Sequence, residues 1–324
     1  MVREAPTPSP RPEHHPLSLR QLQYFVAVAN TRSFRRAAEL CHVSQPALSA
    51  QIAVLEQSLG VRLLERDRRM VRPTAAGQEL LERARRVLVQ ADDLVDAAKR
   101  LGDPLSGIIR IGVIPTVSPY LLPEVVPTLR RRLPLLNVQW VEDKTDLLVE
   151  RLQAGSLDGA LLALEARLED LEHETIAIDP FVLATPRGHP LSRPRAPARL
   201  SELNGADLLL LEDGHCLRDQ ALSFCAGGRT HELDFRATSL PTLVQMVAGG
   251  AGVTLLPRLA LPVEARRSQL SLRRFAAPAP HRTIGLVWRR GTATRPALQA
   301  VALALREAAS KAEPKFEKPF GRTV

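Results

Sequence analysis

From Leu17 onward, apolar residues recur every three or four positions, and in LRQLQYFVAVAN this spacing places Leu22, Phe25, Val26 and Ala29 on one helical face. Ser33 then opens a second short helix, FRRAAEL, which a tight polar turn, CHVS, follows. Ser44 fits an N-cap and Pro46 the first turn of a third helix, where Leu48, Ile52, Leu55 and Leu59 recur before Gly60 ends it. Two short helices joined by so tight a turn predict a helix-turn-helix. LLERDRRMVRPT reads next as a short hairpin, a wing carrying Arg66, Arg68, Arg69 and Arg72. Thr74 caps a long helix in which Leu80, Ala84, Val87, Ala91, Leu94 and Ala98 keep a heptad spacing, widened by Leu81, Leu88 and Val95. That stripe must be covered, by its own domain or by a second copy of the chain. The breaker LGDPLSG after it and the small domain before it favour a dimer seam.

After Gly107 the pattern changes to short apolar runs alternating with helices. IIRIGVI leads into YLLPEVVPTLRRRL, LNVQWVE into LLVERLQAG, and GALLAL follows; later DLLLLED, DFRATS, LPTLVQMVAGG and GVTLLP repeat the grammar. Strand and helix in this order predict two α/β units in tandem with a cleft between them. The expected organisation is a leader at 1–16, a winged helix-turn-helix at 17–73, a linker helix at 74–106, a two-lobed α/β domain at 107–309 and a basic tail at 310–324. The all-α winged domain thus precedes an α/β one.

Composition narrows the function. The 324 residues carry 44 Lys and Arg against 35 Asp and Glu, a net charge of +9. Residues 1–100 hold 16 basic and 11 acidic groups, so the excess is denser at the end with the helix-turn-helix and points to a polyanion there. The leader MVREAPTPSPRPEHHP has no apolar signal core and no run reaches membrane-span length, so the expected location is the cytoplasm, with no membrane partner. No GxxxxGK[ST] or GxGxxG occurs and no CxxC or HxxxH spacing supports a metal at His42 or His215, so neither cofactor nor metal is expected.

On the third helix, Pro46, Ala50 and Ala53 form an outer face with Gln45 and Ser49 at its edge. Small residues admit close approach to a groove, and Gln and Ser reach bases or phosphates. Together with Arg35, Arg36, Ser44, Arg68 and Arg69, the residues Gln45, Pro46 and Ser49 are the candidate contacts to double-stranded DNA. The plainer alternative is a three-helix core with a solvated Arg-rich loop.

The segment DGHCLRDQALSFC holds two of the three cysteines, Cys216 and Cys225. If it is one helix, nine residues of rise separate their Cα atoms by roughly 13 Å, whereas a disulfide needs about 4.4 to 6.8 Å. Either the pair never bonds, or bonding it destroys the local structure. Cys41, between the DNA-binding helices, reads as small packing.

FRRAAELCHVSQPALSAQIAVLEQSLGVRLLER resembles the helix-turn-helix signature of LysR-type transcriptional regulators, and the linker helix and two-lobed domain follow in that family's order. IPTVSPYLLP, LLEDGHCLRDQALSFC, FRATSL and RTIGLVWR further resemble its hydrogen-peroxide-sensing branch, OxyR. The resemblance implies a periplasmic-binding-protein-like regulatory domain, with Cys216 as peroxidatic thiol and Cys225 resolving it into an intramolecular disulfide. It also implies peroxide-positioning roles for Thr116, Thr145 and His215, and control of oxidative-stress genes by a homodimer pairing into a homotetramer. RNA polymerase and a thiol reductant are the partners that go with it. The residues agree chemically: with Asp213 as N-cap, Cys216 lies in a first helical turn that favours an anion. Arg218 and Asp219 join His215 as candidate thiolate supports. The competing readings are a LysR-type regulator with a small organic effector in its cleft, and a thiol peroxidase.

Overall fold

The computed structural model describes residues 17–66, 70–100, 102–168, 170–193, 196–225 and 231–312. The chain divides into two compact units between Leu94 and Val95. In the first, α1 (Leu19–Thr31) starts at a capping box in which Ser18 and Gln21 satisfy each other's backbone N–H groups. Ser33 caps α2 (Phe34–Leu40) and Ser44 caps α3 (Gln45–Leu59), which Gly60 ends in the left-handed region at φ 68°. Leu48, Ile52 and Leu55 are fully buried against Leu22, Phe25 and Val28. Val28 is wholly buried and Val26 only partly, so the buried face of α1 is turned slightly from the face expected.

The wing is a two-stranded antiparallel hairpin, β1 (Leu64–Arg66) and β2 (Val71–Pro73). Glu56 of α3 fixes its root by accepting from the backbone N–H groups of Leu63 and Leu64 at 2.7 and 3.1 Å. The Thr74 hydroxyl accepts from Gly77 N–H at 2.9 Å and so caps α4 (Ala75–Arg100). Gly77 is required sterically, since a Cβ there would lie 2.0 Å from the Leu63 carbonyl oxygen. Leu81 and Ala84 pack into the core of this unit, whereas Val87, Leu94 and Val95 are 45, 72 and 51% exposed. Only the first turns of the apolar stripe are therefore covered within one chain.

In the second unit, β3 (Gly107–Val113) lies parallel to β4 (Leu136–Glu142) and β5 (Gly159–Ala163), with α5 (Ser118–Arg132) and α6 (Thr145–Gln153) as the crossovers. The 16-residue β6 (Leu171–Pro186) then leaves this sheet, and its second half pairs with β9 (Thr254–Pro257) and β10 (Leu270–Arg274). Between them come β7 (Asp207–Leu211), α7 (Cys216–Cys225), β8 (His231–Ala237) and α8 (Leu240–Ala248), with β7 parallel to β8. A short helix, α9 (Leu261–Arg267), follows β9. Finally β11 (His281–Arg289) returns to pair antiparallel with both β5 and the first half of β6, and α10 (Arg295–Ala312) buries Leu298, Val301 and Leu305 in the first lobe's core.

The lobes are thus interleaved rather than in tandem: the chain leaves the first along β6 and re-enters it along β11. Each has its own hydrophobic core. β6 runs from one lobe into the other, and the segment between β10 and β11 brings the chain back. Among the described residues no helix is long and apolar enough to cross a membrane.

Candidate redox site and nucleic-acid interface

On α3, Gln45, Pro46, Ala47, Ala50 and Ala53 are exposed and Ser49 is half-buried. The burial of Leu48, Ile52 and Leu55 on the opposite side forces this, because a 3.6-residue period turns the intervening positions outward. Arg35 and Arg36 are exposed on α2, where Arg35 pairs with Glu39 at 3.1 Å, and Ser44 is committed to capping through Ala47 N–H. Arg68 and Arg69 lie outside the described residues.

Cys216 and Cys225 are the first and last residues of α7. Of the Cys225 side chain nothing is described, whereas Cys216 carries a free, half-buried thiol. Helix α7 belongs to the second lobe, burying Leu217 and Ala221 in that core, while Cys216 packs against the core of the first. The thiol therefore sits where the lobes meet.

Asp213 does not cap the helix. Its carboxylate is claimed by Arg218 at 2.9 Å and Arg236 at 2.6 Å, and the helix opens after His215, whose carbonyl accepts from Arg218 N–H. Arg218, buried and paired in this way, fastens the loop that leads into α7. Lys144 of the first lobe holds the same loop, donating to the Asp213 carbonyl at 3.0 Å and pairing with Glu212. Asp219, in the first turn, is exposed.

Beside the thiol lies a cavity of about 570 Å³ lined by Cys216, Asp219, Gln220 and Ser223 of α7 and by Thr145, Glu165 and Arg167 of the first lobe. Among the buried side-chain atoms of the described residues that lack a hydrogen-bond partner are Thr145 Oγ1 and Gln220 Oε1, of two residues that line the cavity, and His215 Nε2, of the residue before Cys216. A buried polar group left unsatisfied costs about 1–3 kcal/mol, so these atoms mark an uncompensated polar patch. Gln220 escaped the sequence reading, although its i, i+4 spacing from Cys216 puts it on the same helical face.

Thr116 is placed differently. It is buried, its hydroxyl accepts from Arg282 Nη1 at 2.7 Å and its carbonyl from Nη2 at 3.0 Å. Asp179 pairs with the same fully buried guanidinium at 3.0 Å. Removing the Thr116 hydroxyl would leave a buried cation short of a partner, whereas Thr145 lines the cavity beside Cys216.

His215 is held below its ordinary pKa of 6.5, chiefly by burial and then by the Lys144 charge, with Glu212 opposing. A histidine whose folded pKa is depressed contributes stability fully above pH 6.5, and that contribution is lost as pH falls through the folded value. Denaturant unfolding between pH 7.5 and 5 should show the wild type losing stability faster than His215→Gln, so that the two curves converge in acid. Parallel curves would contradict a neutral His215.

The bacterial regulatory helix-turn-helix, lysR family, model matches residues 19–78, and the LysR substrate binding domain model matches residues 102–310. The chain belongs to the LysR family, in its OxyR branch. This LysR-family chain is 44% identical over 309 residues to the DNA-binding transcriptional dual regulator OxyR of Escherichia coli K12, covering 95% of this chain and all of that one. It is 49% identical over 271 residues to a probable hydrogen peroxide-inducible genes activator of Mycobacterium avium, covering 83 and 86%. Among solved structures, a full-length cysteine-to-aspartate variant of Pseudomonas aeruginosa OxyR superposes with a TM-score of 0.74 at 34% identity, covering 94% of this chain and all of that chain. A hydrogen-peroxide-bound cysteine-to-serine variant of Corynebacterium glutamicum OxyR superposes with a TM-score of 0.63 at 36% identity, covering 93 and 94%.

Proposed function

We propose that this LysR-family protein is a peroxide-responsive transcriptional regulator that binds promoter DNA and senses hydrogen peroxide through Cys216 and Cys225. The observation that carries the reading is a free thiol at the head of α7 beside a cavity lined by Thr145 and Gln220, each with a buried polar atom that lacks a hydrogen-bond partner. Hydrogen peroxide is a small molecule with two donors and two acceptor oxygens, and it matches such a cavity. The Cys216 thiolate attacks one peroxide oxygen, the O–O bond breaks, and the sulfur, oxidised by two electrons, becomes a sulfenic acid. The other oxygen leaves as hydroxide and takes up a proton to form water. Cys225 then attacks the sulfenic sulfur, expels its hydroxyl as water together with the Cys225 proton, and closes the disulfide.

Closing that bond is incompatible with α7, because the ends of a ten-residue helix stand roughly 13 Å apart. Oxidation therefore refolds the segment, and refolding is the signal. A reducing cytoplasm keeps the switch open, and a thiol reductant resets it. In this reading α3 and the wing dock on operator half-sites, the exposed stripe of Val87, Leu94 and Val95 joins two copies, and dimers pair into a tetramer that engages RNA polymerase.

Mass-spectrometric thiol mapping after one equivalent of peroxide, with operator binding followed in parallel, tests the proposal. The expected product is a Cys216–Cys225 disulfide, with Cys41 still reduced and an altered operator footprint. Peroxide consumption far beyond one equivalent per subunit would indicate a thiol peroxidase. A peroxide-insensitive footprint that shifts with an organic ligand would indicate an effector-binding regulator.

A further inference from the structure

We propose that Lys144 is a positioning residue for the disulfide step, a clasp by which the first lobe holds the turn ahead of Cys216 and so sets how readily the switch closes; this rests on the peroxide-sensing reading above. Lys144 stands at the N-cap of α6, where its carbonyl accepts from Leu148 N–H at 3.0 Å and its own N–H donates to Asp143 Oδ1 at 2.9 Å. Its side chain crosses to the second lobe. There the ammonium pairs with Glu212 at 2.5 Å and donates to the Asp213 carbonyl at 3.0 Å. The stem lies over the next residue, since a Cβ added at Gly214 would stand 3.0 Å from Lys144 Cδ. Three consecutive residues of the turn are thus held from across the lobe boundary. The turn forms one bonded unit with the head of α7, because Arg218 pairs with Asp213 at 2.9 Å and donates its backbone N–H to the His215 carbonyl. Drawing Cys216 toward Cys225 unwinds that head and pulls the unit off Lys144. The clasp therefore favours the dithiol form.

Two substitutions break the clasp from opposite ends. Lys144→Met keeps a stem of similar length and removes the ammonium, and Glu212→Gln keeps the shape of the acid and removes its charge. Each also changes the field at the thiolate, with a sign that separates the two effects. Losing the lysine cation destabilises a thiolate and so favours the disulfide, whereas losing the Glu212 anion stabilises the thiolate and disfavours it. Loss of the clasp favours the disulfide in both variants. If charge alone acted, the double variant would return toward wild type. With the clasp it matches Lys144→Met, because either change breaks the same pair.

The test is the midpoint potential of the Cys216–Cys225 disulfide in the full-length protein, equilibrated with dithiothreitol, which supplies the two electrons and two protons that turn the bond into two thiols. Lys144 and Glu212 are 34 and 33% exposed, so solvent screens their pair and limits the effect. Lys144→Met should shift the equilibrium about fivefold toward the disulfide, or about 20 mV to more negative potential. Glu212→Gln should shift it the same way by less, since Lys144 keeps the Asp213 carbonyl. Lys144→Arg restores a cation to the pair and should recover most of the wild-type midpoint. An unchanged midpoint in Lys144→Met, a Glu212→Gln shift to less negative potential, or a double variant back at wild type overturns the clasp. If peroxide produces no Cys216–Cys225 bond in the wild type, the sensing reading itself fails. Unchanged operator binding by the reduced variants confirms that they are folded.

Discussion

Cys216→Ser is expected to leave a folded protein that binds its operator in the reduced mode and ignores peroxide altogether, because the attacking sulfur is gone while α7 still forms. Cys225→Ser should still consume one equivalent of peroxide but stop at a sulfenic acid that a dimedone-type reagent captures. Hydrogen exchange separates chemistry from signalling. In the wild type, oxidation should raise exchange across residues 216–225, since a disulfide between the ends of α7 forces its backbone hydrogen bonds open. The rearrangement must also dislodge Leu217 and Ala221 from the second lobe's core and the Phe224 ring from its edge contact with Phe181, centroids 5.5 Å apart. A Cys216–Cys225 bond with unchanged exchange would show that the helix does not refold. A Cys225→Ser protein that signals like wild type would make the sulfenic acid the signal and leave the second cysteine a protective role.

Leu94→Asp should dissociate the protein into subunits and reduce operator affinity by about 10²–10⁴-fold, because the second half-site is then no longer held at high effective concentration. Leu94 is the most exposed large apolar residue on α4, at 72%, and lies beyond the turns that Leu81 and Ala84 anchor in their own domain. Its replacement therefore breaks nothing within one chain, and a charge there penalises only a surface that another copy would cover. Sedimentation and operator titration check both halves of the expectation. A monomeric variant that still binds the full operator tightly would exclude α4 as the seam.

Much of the DNA-binding unit was legible from local chemistry. Ser33 and Ser44 announce helix starts, Gly60 an end, and the spacing of Leu48, Ile52 and Leu55 identifies the buried face of α3, leaving Gln45 and Pro46 exposed on the other. The N-cap of α7 was misread for an equally physical reason. Asp213 is a favourable cap in isolation, but two arginines compete for its carboxylate, and one of them, Arg236, is 23 residues distant. Likewise the strand pattern announced two α/β units, but β11 carries no local mark of belonging to the first lobe rather than the second.

By itself the sequence determined the element types, the helix-turn-helix, and the conflict between helix and disulfide in Cys216–Cys225. Each follows from the rise, period or capping of a short segment, for which neighbours in the chain suffice. The tertiary structure alone decided the interleaving of the lobes, the cavity beside the thiol, and the partners that Thr116 and Gln220 take. Arg282 reaches Thr116 across 166 positions, Thr283 reaches Glu165 across 118, and Gln220 reaches Glu165 across 55. Side chains that far apart in sequence meet only because β6 and β11 carry the chain out of one core and back into it, and no periodicity along the chain encodes which of them will come within hydrogen-bonding distance.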